Sequence, residues 1–309
     1  MVDLAGSCGA PSTQTLARVR ETLLQLPCPS VALCTNASAA GAEWLADRFD
    51  LVVTDEQELA LVLETSQRTP LAAMSLVQLL RQTEKLSIHQ GLIVESLVYS
   101  TLQAGPEFAA WREQHHKRSE HVANAEPAVL IQRSGPQLEL TLNRPEKHNA
   151  YSAEMRDGLV EGLQLAQNDP SIETVVISGA GSSFCAGGDL DEFGTLPDPA
   201  TAHAVRSTRN AARALAAVAE RVKVKLHGAC IGAGIELPAF AGEVTASEDA
   251  FFQLPEIPMG LIPGAGGTVS LPRRIGRQRT ALLALTGARF SPEQALDWGL
   301  IDRIGHHEE

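Results

Sequence analysis

Signals for a membrane span, an export leader or a basic binding surface are missing from this 309-residue sequence. No stretch approaches the roughly 18 apolar residues of a membrane-spanning helix. The N-terminus has no basic region followed by an apolar core, so we expect a cytoplasmic protein without a membrane partner. With 25 Lys and Arg against 37 Asp and Glu, the formal net charge is −12. That balance counts against a nucleic-acid partner, whose phosphates need clustered basic residues.

Cysteine is scarce and is not arranged for a metal or a disulfide framework. The five cysteines are odd in number and show neither a CxxC motif nor a Cys/His ligand spacing. Such a pattern is typical of reduced thiols in a reducing compartment. We therefore expect no bound metal.

Apolar residues are present in sufficient number for a large core, and they fall into two unlike blocks. Hydrophobic residues make up 44% of the chain, enough to bury one large core or two modest ones. We predict a first, mostly helical block at residues 1–125 and a second block of alternating strands and helices at residues 126–309.

The second block alternates strand and helix signals. Apolar runs at 128–132 and 138–142 around Gly135 predict a hairpin, and Ser152 opens an amphipathic helix at 153–167. Further strands are predicted at 173–178, 222–226 and around Val244, and further helices at 201–221, from about Gly234, at 268–275, at 279–285 and from Ser291. This alternation implies crossover units, with stacked sheets and helices outside.

The first block gives mostly helical patterns. Helices are predicted at 13–26, 39–49, 56–66, 71–82 and 89–103, and strands only at 31–34 and 51–53. The polar, His-rich segment 111–121 is interpreted as the end of a helix that runs into a linker.

Two glutamates twenty residues apart, Glu236 and Glu256, are the main candidates for chemistry. Both stand in apolar surroundings, where an unpaired charge is costly and where burial raises the pKa of a carboxyl group. Glu256 alone could equally well be a loop cap. Two such acids beside aimed main-chain donors suit acid/base chemistry next to a carbonyl group.

Two glycine-rich turns could supply those donors. The turns at 183–190 and 228–236 each follow a strand signal, and first-turn N–H groups favour developing negative charge. We predict the N–H groups of Gly188 and Ala233 as the two donors. Either turn alone would be ordinary packing between strand and helix. The glycines of 260–267 permit close approach to a substrate, but no Lys-Ser/Thr follows Gly267, so this is not a phosphate loop.

Four stretches in this order, at 143–150, 184–190, 228–236 and 255–267, resemble the crotonase (enoyl-CoA hydratase/isomerase) superfamily. The resemblance covers about residues 127–304. It implies an α/β fold with a crotonase-like ββα spiral core of stacked sheets and surrounding helices. It also implies an acyl-CoA thioester as the substrate and, at 126–309, the catalytic domain.

Site residues follow from the resemblance position by position. The thioester-oxygen donors fall on Gly188 and Ala233, where the family usually has glycine at the second position, and a main-chain donor survives that change. The two hydratase-type acids fall on Glu236 and Glu256. Six residues are implied to lie by the nucleotide end of coenzyme A, although the first of them could be an ordinary exposed lysine: Lys147, Asn149, Ala150, Ala186, Asp189 and Leu190.

Both acids are present, and the resemblance therefore implies syn hydration of a trans-2-enoyl-CoA to a 3-hydroxyacyl-CoA, as in fatty acid metabolism. Family members that keep one glutamate tend to be isomerases or to run other chemistry. An isomerase, a thioesterase or a C–C lyase that uses the same enolate stays open. A non-catalytic CoA-binding or assembly subunit is the alternative from another class. The family implies a homotrimer or hexamer.

The chain departs from the family pattern after residue 304, where the helices that normally cover the site do not follow. Segments 50–59, 69–74 and 86–111 resemble that missing region in its usual order. The first block is therefore expected to supply the cover and oligomerisation helices. In this block Trp111, Lys117 and Arg118 are candidates for covering the nucleotide, although the family's basic position could fall on Gln114 instead.

A short sequence similarity relates the two blocks. Residues 31–43 can be laid on residues 224–236 at a constant offset of 193 residues. This indicates a remnant crotonase copy in the first block, with a generic strand–helix pattern as an equal alternative. Glu43 would be structural in such a copy, because no partner acid accompanies it.

Overall fold

This computed structural model describes residues 1–3, 12–34, 45–115 and 126–305, and within these residues the first block has five α-helices and a small parallel sheet. The helices are α1 (Thr13–Gln25), α2 (Glu56–Arg68), α3 (Pro70–Thr83), α4 (Ile88–Gln103) and α5 (Pro106–Gln114). The strands are β1 (Val2–Asp3), β2 (Val31–Leu33) and β3 (Leu51–Val53), in that order across the sheet.

These elements confirm most of the predicted pattern of the first block. Helix starts are set by local capping: the Asp55 carboxylate accepts hydrogen bonds from two N–H groups of α2, and Ser87 and Gln90 form a capping box at α4. The two-residue strand β1 was not predicted, because its existence depends on pairing with β2. Residues 39–44 of one predicted helix, together with Glu43, Lys117 and Arg118, lie outside the described residues.

A six-stranded sheet with flanking helices dominates the second block and confirms the predicted α/β class. Its strands are β4 (Val129–Ser134), β5 (Gln137–Leu142), β6 (Thr174–Gly179), β7 (Val222–Leu226), β9 (Glu243–Ala246) and β11 (Arg303–Ile304). They run in the order β11-β9-β7-β6-β5-β4, parallel except for the β4–β5 hairpin. A separate parallel pair joins β8 (Ala229–Ile231) to β10 (Phe251–Gln253).

Seven helices of the described part of the second block accompany these sheets. They are α6 (Ala153–Asn168), α7 (Pro199–Thr208), α8 (Ala211–Ala217), α9 (Ala233–Glu236), α10 (Gly267–Ile275), α11 (Arg277–Thr286) and α12 (Pro292–Trp298). The single helix predicted at 201–221 was wrong. The chain breaks at Arg209, and the Asn210 side chain accepts a hydrogen bond from the Arg213 N–H to begin α8.

The short strands β8 and β10 were also not predicted from the sequence. Each has three residues within a turn-rich stretch, too few to show a strand period. Their pairing is a tertiary effect that brings the chain before Ala233 next to the chain before Glu256. This pairing helps to build the site.

The two blocks share one hydrophobic core. Helix α4 packs against α7 and α10, and buried side chains of α3 and α4 are continuous with those of the large sheet. A buried ion-pair cluster adds to this contact, since the Asp50 carboxylate accepts from Arg81 at 2.8 Å and from Arg277 of the second block at 2.9 Å. None of the described helices combines the length and apolarity needed to cross a bilayer.

Strands β2 and β3 of the first block pair in the same register as strands β7 and β9 of the second block. Val31 pairs with Leu51 in the small sheet, and at an offset of 193 residues Val224 pairs with Val244 in the large one. The same holds for Leu33 with Val53 and for Leu226 with Ala246. A shared register is what a repeated unit would produce, and the proposed remnant copy stays a prediction that this register supports.

Candidate active site

A cavity of about 480 Å³ lies where α4 and α7 face the glycine-rich turns. All four predicted catalytic residues line it: Gly188, Ala233, Glu236 and Glu256. From the first block it is lined by Tyr99, Gln103, Ala104 and Arg112. The cavity is therefore formed by both blocks.

The two predicted main-chain donors lie on adjoining turns. The Ile231 N–H donates to the Cys185 carbonyl at 2.9 Å, which holds the turns side by side. Gly187 (φ +94°) and Gly232 (φ +51°) adopt backbone conformations that disfavour other residues, and each leads directly into a predicted donor. Neither the Gly188 nor the Ala233 N–H has a hydrogen-bond acceptor within the described part of the chain, so both are available to a ligand oxygen.

Glu236 is buried and receives two main-chain hydrogen bonds. Its Oε2 accepts from the N–H groups of Ala265 at 2.7 Å and Gly267 at 2.9 Å, and the residue is only 2% exposed. No pattern around Glu236 predicts these partners, because they come from a distant loop. Burial raises the pKa of Glu236 well above its usual value, and the nearby carboxylates of Glu256 and Glu95 raise it further.

Glu256 has a different environment. Its Oε2 is buried without a hydrogen-bond partner in the described residues. Its Oε1 lies so close to Gly232 that a Cβ there would sit 2.5 Å away. Burial raises the pKa of Glu256 to about 8. Near neutral pH this carboxyl group is therefore suited to carry a proton.

Glu95, on α4, is a third buried acid that the sequence reading missed. Its carboxylate accepts from the Gly266 N–H at 2.8 Å, the Thr268 N–H at 2.9 Å and the Thr268 hydroxyl at 2.6 Å. Burial raises its pKa to about 7, an effect that these hydrogen bonds partly offset. The four successive N–H groups of residues 265–268 thus alternate between Glu236 and Glu95. The sequence signal that could have indicated Glu95 is a glutamate inside the otherwise apolar stretch 91–99.

Tyr99 and Arg206 were also missed, and both line the cavity. The Arg206 guanidinium lies 4.9 Å from the centre of the Tyr99 ring. Burial raises the pKa of the Tyr99 phenol above its usual value, so the phenol stays neutral. Both residues belong to helices, α4 and α7, whose sequence pattern indicates only a buried face.

The six residues implied for nucleotide binding lie on two adjoining loops. The Lys147 ammonium contacts Asp189 at 3.1 Å and Asp191 at 3.0 Å, and the Ala186 N–H donates to the His148 carbonyl. Leu190 is exposed, whereas the Asn149 side chain is fully buried and bonds Arg144, Ala180 and Ser183. The neighbouring Ala150 is half-buried. Asn149 therefore shapes this loop, and contact of these residues with a nucleotide stays a prediction.

Trp111 of α5 lies beside the first donor turn. Its ring stacks on His115 with centroids 4.1 Å apart and lies 6.4 Å from the ring of Phe193.

Within residues 1–3, 12–34, 45–115 and 126–305, no three His, Cys, Asp or Glu side chains are grouped as ligands for a metal ion.

Known proteins that resemble this chain fall in one family. The family model for enoyl-CoA hydratase/isomerase matches residues 136–309. A mevalonyl-coenzyme A hydratase of Aspergillus fumigatus is 35% identical over 172 residues, which are 56% of this chain and 64% of that protein. The 1,2-epoxyphenylacetyl-CoA isomerase of Escherichia coli is 39% identical over 171 residues, which are 54% of this chain and 65% of that protein.

A solved structure is similar as well. The enoyl-CoA hydratase of Thermoplasma volcanium aligns with a TM-score of 0.53 at 33% identity, over 58% of this chain and 72% of that one. The chain spans slightly less than two thirds of the length of the two curated relatives.

Proposed function

We propose, because this chain belongs to the enoyl-CoA hydratase/isomerase family, that it hydrates a trans-2-enoyl-CoA to a 3-hydroxyacyl-CoA. One observation carries the proposal: two acids, the buried Glu236 and the half-buried Glu256, line a single cavity with two main-chain N–H groups that lack acceptors in the described residues. The proposal requires no separate cofactor, since coenzyme A is part of the substrate.

The two main-chain donors act on the thioester. The N–H groups of Gly188 and Ala233 donate to the thioester oxygen and stabilise the enolate that forms when water adds at C3. Removal of one donor of this kind reduces a rate by roughly 10² to 10³ in other enzymes. These donors belong to the main chain, so the side-chain acids offer the more direct test.

The two acids take separate tasks. They lie within electrostatic reach of each other, so ionisation of both at once is disfavoured. Two N–H donors stabilise negative charge on Glu236, whereas no donor reaches Oε2 of Glu256 from the described residues. We therefore assign the ionised form to Glu236 and the proton to Glu256. Glu236 orients the water and takes its proton, and Glu256 gives its proton to C2 on the same face of the substrate.

Crotonyl-CoA provides the test, through loss of the absorbance of its conjugated thioester. Glu236→Gln and Glu256→Gln should each lower kcat by about 10² to 10⁴, the usual contribution of a general acid or base. The control is Glu161→Gln, which removes an exposed carboxylate of α6. Unchanged turnover in both active-site variants would reject the mechanism.

An isomerase is the second candidate, since one similar protein is named as an isomerase. An enolate held by the same two donors could be reprotonated at a different carbon. A trans-3-enoyl-CoA distinguishes the two reactions, because an isomerase would generate the absorbance of the conjugated thioester whereas a strict hydratase would leave this substrate unchanged. A non-catalytic CoA-binding subunit would have no evident need for two acids at the cavity.

A further inference from the structure

A smaller chamber adjoins the catalytic cavity on the side of α7. Its volume is about 140 Å³, and it shares five lining residues with the larger cavity: Tyr151, Glu192, Arg206, Gly264 and Ala265. We call it the arginine chamber, because Arg156, Arg206 and Arg209 all line it. An acyl chain that extends past the two acids on this side would enter it.

The carboxylates of the arginine chamber are already engaged by main-chain donors. Glu95 accepts from Gly266 and Thr268, and Glu192 accepts from the Ala153 N–H at 2.7 Å. Neither forms an ion pair with a described arginine of the chamber. Arg156 is different, since it pairs with Asp157 at 2.9 Å. Among the described residues, no carboxylate therefore forms an ion pair with Arg206 or Arg209.

Arg206 is the arginine that faces both cavities. Its guanidinium donates to the Ser96 hydroxyl at 3.2 Å, to the Gln103 side chain at 3.3 Å and, at shorter range, to the Ser100 hydroxyl. All three acceptors are neutral and belong to α4. No described carboxylate lies within 4.0 Å of it, although Glu95 attracts it from a greater distance.

These contacts fix the guanidinium without neutralising it. Arg206 is half-buried, and burial lowers its pKa while nearby Arg156 lowers it further. Arginine nevertheless stays charged in proteins. A cation held in place and removed from water without a paired anion is unfavourable on its own. An anionic group on the substrate would remove this cost, and a planar carboxylate matches the guanidinium geometry.

We propose that the arginine chamber binds a carboxylate at the far end of the acyl chain, so that the substrate is the CoA thioester of a dicarboxylic acid. Arg206 supplies the main contact and Arg209 adds positive charge at the edge of the chamber. The inference rests on the proposed function, since it takes the thioester to lie at Gly188 and Ala233.

Binding of non-reactive, saturated thioesters tests the proposal independently of turnover. Adipoyl-CoA and suberoyl-CoA carry a terminal carboxylate, and hexanoyl-CoA and octanoyl-CoA are their neutral counterparts of equal length. Titration calorimetry should show at least one carboxylated ligand binding about tenfold tighter than its neutral counterpart, as expected for a hydrogen bond between charged groups. Arg206→Gln should abolish this preference, and Arg206→Lys should keep part of it.

Two further variants show whether a lost preference in Arg206→Gln reflects the chamber or only misfolding. Arg209→Gln changes an exposed residue of the chamber and should reduce the preference severalfold. Arg133→Gln removes a distant surface arginine that pairs with Asp169, and it should leave the preference intact. Equal affinity for charged and neutral ligands in the wild type, or a preference that survives both Arg206→Gln and Arg209→Gln, overturns the proposal.

Hydration of trans-2-hexenoyl-CoA is measured in a separate assay, which tests the hydratase function apart from the carboxylate preference. Turnover without a carboxylate preference would reject the chamber assignment and keep the hydratase function. A carboxylate preference without any hydration, on either the neutral or the carboxylated enoyl-CoA, would reject the hydratase function and keep the substrate class.

Discussion

Glu236 and Glu256 differ in the hydrogen bonds that reach their carboxylates, and this difference predicts a pH profile. Burial raises the pKa of Glu256 to about 8, so this acid is protonated below that pH and ionises above it. The proposed hydration needs the protonated form, and kcat should therefore fall as the pH rises through about 8. Steady-state kcat measured from pH 6 to 10 checks this.

A substitution tests whether ionisation of Glu256 causes this fall in kcat. Glu256→Gln should leave a low residual rate without the decline near pH 8. A decline that persists unchanged in this variant would assign the ionisation to another group.

Gly267 is restricted by its contact with Glu236. A Cβ on Gly267 would lie 2.6 Å from Cγ of Glu236 and 2.7 Å from its Oε2. Gly267→Ala should displace the acid, lower kcat by at least about tenfold and destabilise the fold by about 1 to 3 kcal/mol, as overpacking does. The kinetics and urea unfolding of the variant measure both effects. Gly305→Ala is the control, since a Cβ there would meet nothing within 4 Å, and it should match the wild type.

The sequence allowed the four central site residues to be predicted, whereas three others were missed, for a physical reason. Gly188, Ala233, Glu236 and Glu256 stand in short stretches where glycines, apolar neighbours and an acid occur together. Tyr99 and Arg206 line the cavity and Glu95 lines the smaller chamber beside it, but all three come from helices whose pattern encodes only a buried face. Their position depends on how α4 packs against α7 and α10, which no local pattern contains.

At the scale of elements, the N-terminus of α10 is held by two acids from different parts of the chain. Glu95→Gln keeps one acceptor oxygen and removes the charge, so the hydrogen bonds from Gly266 and Thr268 should weaken. We expect a loss of about 1 to 3 kcal/mol in the free energy of unfolding, typical of a disrupted buried hydrogen-bonding group. Urea unfolding measures it, with the exposed Glu64→Gln of α2 as the matched control.

The same substitution should change the chemistry. The negative charge of Glu95 raises the pKa of Glu236, so its removal lowers that pKa. The other charged or titratable groups that interact with Glu95 are Arg206 and Tyr99, and neither of them is altered. Glu236 must be ionised to take a proton from water. The acid limb of the kcat profile should therefore move to lower pH, and an unmoved acid limb with reduced stability would leave Glu95 a purely structural role.

At the scale of the whole molecule, the first block takes part in the fold of the second. It provides Tyr99 at the cavity, Glu95 at the N-terminus of α10 and the buried Asp50 that bonds Arg277. Deletion of residues 1–125 should expose the apolar faces of α10 and α11 and abolish activity together with cooperative unfolding. Size-exclusion chromatography, calorimetric unfolding and the crotonyl-CoA assay on the deletion variant measure this. A stable, fully active product would show that the second block is self-sufficient.

The four N–H groups of residues 265–268 are shared alternately between an acid of each block, and this sharing has an evolutionary consequence. A chimera that takes residues 1–125 from a distant relative inherits a working site only if that block presents a carboxylate where Glu95 stands. Substitutions at residues 264–268 are likewise tolerated only when they suit both acids. The two blocks are therefore bound to diverge together, and natural recombination between them should be rare.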